Sequence, residues 1–185
     1  DVERSRGLGD VYKRQIYSCL LAIAPLQGSS AGQSMQSEVY FSPNPAFFSP
    51  LISLIHREKE LIQIAASRVT DNQIQRALMQ ASERGVPIEI VLDTKTHAIN
   101  KLAKRLSREN SRIWIYPEVR EKKNRRLMNH KFCICKAQET VWNASCSFSP
   151  SAKRHCEHAL IIRQNNIVKQ FTEEFEKLKQ KSTLL

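Results

Sequence analysis

Two short stretches hold the side chains of this chain best suited to handling a phosphate group. The first is Met128-Asn129-His130-Lys131-Phe132-Cys133-Ile134-Cys135-Lys136, and the second is Asn143-Ala144-Ser145-Cys146-Ser147-Phe148-Ser149. Lys131 and Lys136 are cations that attract phosphate oxygens, and the hydroxyls of Ser145 and Ser147 can donate hydrogen bonds to them. Turn chemistry before Ser149-Pro150 is the competing reading for the serines, and an exposed turn position is the competing reading for Lys136. Asn129 is neutral and cannot attack phosphorus, whereas the ring of His130 can. Just upstream, Arg120, Lys122, Lys123, Arg125 and Arg126 place five cations in seven residues. That density suits a track for a polyanion, or a plainly solvated loop.

Extended backbone sets which of these side chains meet. Alternate residues of a strand share a face, so Asn129, Lys131, Cys133 and Cys135 point one way and His130, Phe132 and Ile134 the other. His130 therefore faces away from Lys131, and a one-residue slip in register would turn every apolar side chain around.

The surrounding pattern supplies the elements that must hold these residues. Ser42-Pro43-Asn44-Pro45 forms a turn, and Phe47, Phe48, Leu51, Ile52, Leu54 and Ile55 recur at helical spacing behind it. Leu61 to Ala66 reads as a buried strand. Thr70-Asp71 offers an N-cap for a helix bearing Ile74, Ala77, Leu78 and Ala81 that stops at Gly85. Pro87 to Asp93 and Ile113 to Tyr116 are further strands, with a polar helix from about His97 to Arg108 between them. Strands over Lys131 to Lys136, Thr140 to Cys146 and Glu157 to Arg163 follow, then an amphipathic helix carrying Ile167, Phe171 and Phe175. Strands alternating with helices predict an α/β fold with a mixed, mostly parallel sheet sandwiched by helices.

The two stretches resemble the signature of the phospholipase D superfamily, H-x-K-x4-D followed by G-S-x-N. Asn129 stands at the histidine, Lys131 at the lysine, Lys136 at the aspartate, Ala144 at the glycine, Ser145 at the serine and Ser147 at the asparagine. The lysine and the serine match. The likeness extends from about Val39 to Leu178, through Ile62 to Asp71, Ala81 to Val86 and Glu157 to Ile162, and implies a phospholipase D-like fold. It also implies a chemistry: histidine attack on phosphorus, non-bridging oxygens held by the lysine and serine positions, and a carboxylate, here Glu157, orienting the histidine. No metal or cofactor enters that chemistry. One motif copy per chain implies a homodimer that completes the site.

On this basis the catalytic positions are Asn129, Lys131, Lys136, Ser145 and Glu157, with His130 as a displaced nucleophile. The substrate-binding set is Lys131, Ser145, Ser147, Lys122, Lys123, Arg125 and Arg126. The expected function is phosphodiester binding, nucleic acid ahead of phospholipid, with hydrolysis impaired or absent because the histidine and aspartate are replaced. An active phosphodiesterase using His130 or a partner chain's histidine is the alternative. A third reading is an exported, disulfide-braced interaction domain.

Composition bounds these readings. The chain has 185 residues, 41% hydrophobic and 25% charged, enough for one globular domain with its own core. Its net charge is +11, and residues 34–185 keep +10 of it. Such an excess favours polyanions or simply aids solubility. Residues 1–15 include a string, Gly7 to Gln15, that resembles translated sequencing adapter, and stand outside the fold argument. Residues 16–33 run from an apolar segment into small polar residues, the pattern of a secretory signal peptide or of an ordinary buried helix. With a signal peptide the domain, 34–185, is exported to a periplasmic or extracellular space. Beyond Cys19 there remain Cys133, Cys135, Cys146 and Cys156. They permit disulfides from Cys133 or Cys135 across to Cys146 or Cys156, or buried free thiols. A metal site of Cys133, Cys135, Cys156 and His158 lacks any standard zinc spacing.

Overall fold

A computed structural model describes residues 37–93, 102, 105, 106, 110–117, 119–121 and 124–185. The expected leader and signal peptide, and most of the helix expected between His97 and Arg108, lie outside these residues. The strands are β1 (Ser37–Ser42), β2 (Ile62–Ala66), β3 (Ile88–Leu92), β4 (Ser111–Ile115), β5 (Val119–Glu121), β6 (Asn124–Arg126), β7 (Lys131–Cys135), β8 (Thr140–Ala144), β9 (Glu157–Ile162) and β10 (Thr183–Leu184). The helices are α1 (Ser49–Arg57), α2 (Asn72–Glu83) and α3 (Asn165–Gln180), with a 3-10 turn at Pro150–Lys153.

Eight strands form one mixed sheet in the order β1-β9-β8-β7-β2-β3-β4-β10, and β5 pairs with β6 in a separate hairpin. The α/β class and the flanking helices agree with the sequence reading. The proportions differ: only β2–β3 and β3–β4 are parallel, and the other five ladders of the large sheet are antiparallel. Parallel neighbours need a long crossover, which the helical segment α2 supplies between β2 and β3. The Lys136–Glu139 turn folds β8 straight back along β7, and the longer segment 145–156, with its 3-10 turn, returns the chain so that β9 runs antiparallel beside β8.

Two apolar layers flank the sheet. On one side α1 and α2 pack Leu51, Leu54, Ile55, Ile74, Ala77 and Leu78 against Ile64, Ile90, Cys133, Cys135 and Trp142. On the other, α3 packs Val168, Phe175 and Leu178 against Ala65, Val91, Phe132, Ile134 and Val141. β2 is covered on both faces and every residue of it is buried, as a central strand between two helix layers requires. Local signals fix the helix ends. The Asp71 carboxylate accepts from Gln73 N and Ile74 N at 2.9 and 3.2 Å and starts α2, a cap worth about 1 kcal/mol. Gly85, at φ +87°, ends it where a side chain would be strained.

Candidate functional site

The phosphate-handling candidates gather where β7 and β9 begin and β8 ends. Lys131 opens β7. Its ammonium donates to the carbonyl and the side-chain oxygen of Asn129, both at 2.8 Å. These acceptors are neutral, and no carboxylate pairs with Lys131 among the described residues, so the cation is available to an anion. Asn129 itself is exposed. At the end of β8 the Ser145 hydroxyl donates to the Glu157 carboxylate in a very short hydrogen bond. The backbone locks this serine, since Ser145 N donates to His158 O at 3.0 Å and His158 N donates to Ser145 Oγ at 3.1 Å. Glu157 N in turn donates to Ser42 Oγ at 3.1 Å, which ties β1 to the same end. Ser147 shares a hydrogen bond with Ser67, just past β2.

Cys146 lies beneath this group. Burial, together with the nearby Glu157 charge, pushes its thiol up to about 11, against the opposing pull of Lys131. Among the described residues the site thus holds one cation, one carboxylate, the hydroxyls of four serines and a protonated thiol, with no imidazole on the Lys131 face. It can bind phosphate oxygens through Lys131 and the serines, and Glu157 can accept a proton.

Two expected members stand elsewhere. His130 projects to the α3 side, as strand alternation requires, with Nε2 3.5 Å from Glu174 Oε1 and its ring 5.6 Å from that of Phe132. Lys136 is exposed in the turn after β7, at the opposite end of the strand from Lys131. Five residues of extended chain separate the two lysines by about 16 Å, so they do not form a joint phosphate pocket. Lys136 instead borders a cavity of about 460 Å³ with Gln63, Gln138, Val168 and Lys169. Lys122 and Lys123 lie outside the described residues. Arg125 and Arg126 belong to β6, whose backbone pairs with Arg120 and Val119.

All four cysteines beyond the leader are free, three of them buried, as the free-thiol alternative has it, and neither of the permitted cross-pairings is formed. Cys133 and Cys135 face the α1–α2 core, where a mutual hydrogen bond and burial raise the Cys133 thiol well above its ordinary value. Cys156 is exposed in the segment before β9.

Sequence reasoning missed three contributors. Ser67 and Ser42 reach the site from β2 and β1, far away along the chain, and no local pattern marks them. Glu58 was also silent. It is 1% exposed, and its Oε1 accepts from Lys59 N, Glu60 N and Ala137 N at 3.0, 2.8 and 2.9 Å. Its Oε2 accepts from Gln138 Nε2 at 3.2 Å. Burial alone would raise this carboxyl, but the Glu60, Ala137, Gln138 and Lys59 donors outweigh it and hold the group below the usual glutamate range. Glu58 thereby anchors the far end of β7.

Comparisons with known proteins agree with this geometry. The family described as "Cardiolipin synthase, PLD-like domain" matches residues 51–179. NucT from Helicobacter pylori superposes with a TM-score of 0.71 at 20% identity, over 81% of this chain and 99% of that one. The phospholipase D family member Nuc from Salmonella typhimurium gives a TM-score of 0.68 at 21% identity, over 81% and 97%. TrmBL2, an archaeal chromatin protein, gives 0.59 at 17% identity, over 97% and 65%. No curated protein sequence matches the chain. With the motif stretches, the sheet that carries them and a family match over most of its described length, the chain belongs to the PLD-like domain family of the phospholipase D superfamily.

Proposed function

We infer that this phosphodiesterase-family domain binds phosphodiesters, nucleic acid in preference to phospholipid, and hydrolyses them poorly or not at all. One observation carries the reading: the Lys131 ammonium is oriented by neutral Asn129 oxygens at 2.8 Å, so the phosphate-attracting group persists where the nucleophile is gone. Ser145, held by Glu157 and His158, supplies a hydroxyl beside it. The net charge of +11 supports a polyanionic ligand. TrmBL2, an archaeal chromatin protein with a novel mode of DNA binding, gives a precedent for nucleic acid binding on a similar fold. Pairing of two chains, which the single motif copy implies, and export directed by residues 16–33 belong to the same proposal.

The test is hydrolysis of single-stranded DNA, a simple aryl phosphodiester and phosphatidylcholine by the full-length chain, with Asn129→His, Lys136→Asp and the double variant alongside. The expected outcome is silence from the unmodified chain and turnover in the variants carrying Asn129→His. Lys136→Asp alone is expected to stay silent, because that position lies at the wrong end of β7. Turnover by the unmodified chain that His130→Ala abolishes would overturn the reading.

A further inference from the structure

The segment that supplies Ser145 and Ser147 leaves β8 and lies against the connection between β2 and α2. Thr70 N and Asp71 N both donate to Phe148 O, at 2.8 and 3.0 Å, and Val69 bridges to Phe148 as a parallel partner. One residue earlier, Ser147 shares its hydrogen bond with Ser67. Further along, Lys153 Nζ lies 2.9 Å from Asp71 Oδ2 and donates to Gln73 Oε1 at 2.6 Å. The same ammonium stands 5.6 Å from the centre of the Phe48 ring, which meets the buried Phe148 ring edge-on. The side chains of Lys153 and Asp71 are 18% and 3% exposed, so this ion pair is largely withdrawn from water. Ala66, the residue before Ser67, is in register with Lys131. All of these ties therefore gather at the Lys131 end of the sheet.

Asp71 divides its carboxylate between two tasks. Oδ1 accepts from Gln73 N and Ile74 N and caps α2, while Oδ2 faces Lys153. Between Lys153 and Ser147 the chain is stiff. Pro150–Lys153 is a 3-10 turn, Ala152 N donates to Ser149 O at 3.1 Å, and Ser149 N donates to Ser147 O at 2.8 Å. A shift at Lys153 is thus passed along to Ser147. An exposed ion pair would matter little, but removing one partner of a buried pair strands the other charge. A hydroxyl adds to phosphate binding in proportion to how well it is held in place beforehand.

We propose that Lys153 is a positioning residue of the phosphate site: its ion pair with Asp71 clamps the Ser145–Ser149 segment onto the β2–α2 connection and holds the Ser147 and Ser67 hydroxyls in place for an anion at Lys131. The proposal rests on the reading of Lys131 and Ser145 as a phosphate site and adds the residue that fixes its second wall. Lys153 acts through Asp71 and the 3-10 turn, and its own ammonium stays with Asp71 and Gln73.

Nuclear magnetic resonance of the isotopically labelled full-length chain, titrated with bis(p-nitrophenyl) phosphate, tests this. Amide hydrogen exchange at Thr70, Asp71 and Ser149 is followed in the same proteins without ligand. Lys153→Met keeps an unbranched stem over Phe48. It is expected to weaken binding about 3- to 10-fold, the worth of one hydrogen bond, and to speed exchange at the three amides. Asp71→Asn keeps an oxygen for the α2 cap but turns an NH2 group toward Lys153, and is expected to do the same. Lys153→Arg is expected to restore both readouts, and Lys153→Met with Asp71→Asn to bind no worse than either alone. Should Lys153→Met fail to fold, Asp71→Asn carries the test, because α2 retains its cap. Lower stability with unchanged affinity and exchange makes the pair merely structural and overturns the clamp. Weaker binding in Lys153→Met beside unchanged binding in Asp71→Asn makes Lys153 a direct phosphate contact and also overturns it. Either result leaves the phosphate site standing, whereas failure of the unmodified chain to bind the probe overturns both readings.

Discussion

Replacing Glu58 tests the account of how the site's scaffold is held. Its buried carboxylate accepts the Lys59, Glu60 and Ala137 amides and the Gln138 side chain. It joins the end of α1 to the turn that follows β7. Hydrogen bonds to a charged group are worth about 1.5 to 3 kcal/mol each, and they do not add fully. Lys59, Glu60 and Ala137 belong to exposed residues, so water can replace part of what Glu58→Ala removes. A net loss near two such bonds, about 3 to 5 kcal/mol, is expected against a typical total of about 5 to 15. Glu58→Gln keeps an oxygen for the three amides but turns an NH2 group toward the Gln138 donor, at about 1.5 to 3 kcal/mol.

The pH dependence separates charge from shape. The folded carboxyl titrates below its ordinary value, so its contribution is complete above the unfolded glutamate range and fades as pH falls through the folded value. Urea midpoints measured from pH 7 down to pH 3 should fall less steeply for Glu58→Gln than for the unmodified chain, with the slope m unchanged at pH 7. At pH 7 the binding of single-stranded DNA by folded Glu58→Gln should equal that of the unmodified chain, because Glu58 holds the end of β7 remote from Lys131. Equal acid sensitivity of the two proteins, or a midpoint change below 0.5 kcal/mol equivalent for Glu58→Ala, about the scatter of a surface substitution, would refute the anchor.

Two further outcomes follow from the site. Lys131→Ala should weaken oligonucleotide binding without altering base preference and reduce the slope of log K against log salt by about 1, as loss of one phosphate contact requires. In thiol labelling at pH 8, the exposed Cys156 should react first, and Cys146 should lag because its thiol titrates near 11. Mass spectrometry of the labelled peptides reads the order, and early labelling of Cys146 would contradict its buried, protonated state.

Much of the scaffold was legible because its signals are local. Asp71 caps α2 in a way that three adjacent residues decide, and Gly85 ends that helix through its own backbone. The faces of β7 follow from alternation, which placed Lys131, Cys133 and Cys135 on one side without any tertiary knowledge. What the sequence hid is pairing at a distance. β1 was passed over as a strand because Val39 and Phe41 alternate outward, and only its ladder to β9 makes it part of the sheet. The antiparallel majority was equally hidden, since it depends on β7 turning its back on β2. For Lys136 the turn reading is the one the structure favours, because residues close in a motif can stand at opposite ends of the strand that carries it.

The exposure of Asn129 and Lys136 has a consequence for how such a chain changes over generations. Both altered positions of the H-x-K-x4-D stretch sit in solvent, while Cys133, Ile134 and Cys135 between them are buried in the two apolar layers. Selection for folding therefore acts on the middle of the motif and scarcely on its ends. A lineage released from the need to cleave its ligand can drift at those ends without loss of stability, and the fold will outlast the chemistry by a wide margin. The same freedom runs in reverse, since a single replacement at position 129 meets no packing barrier on the way back.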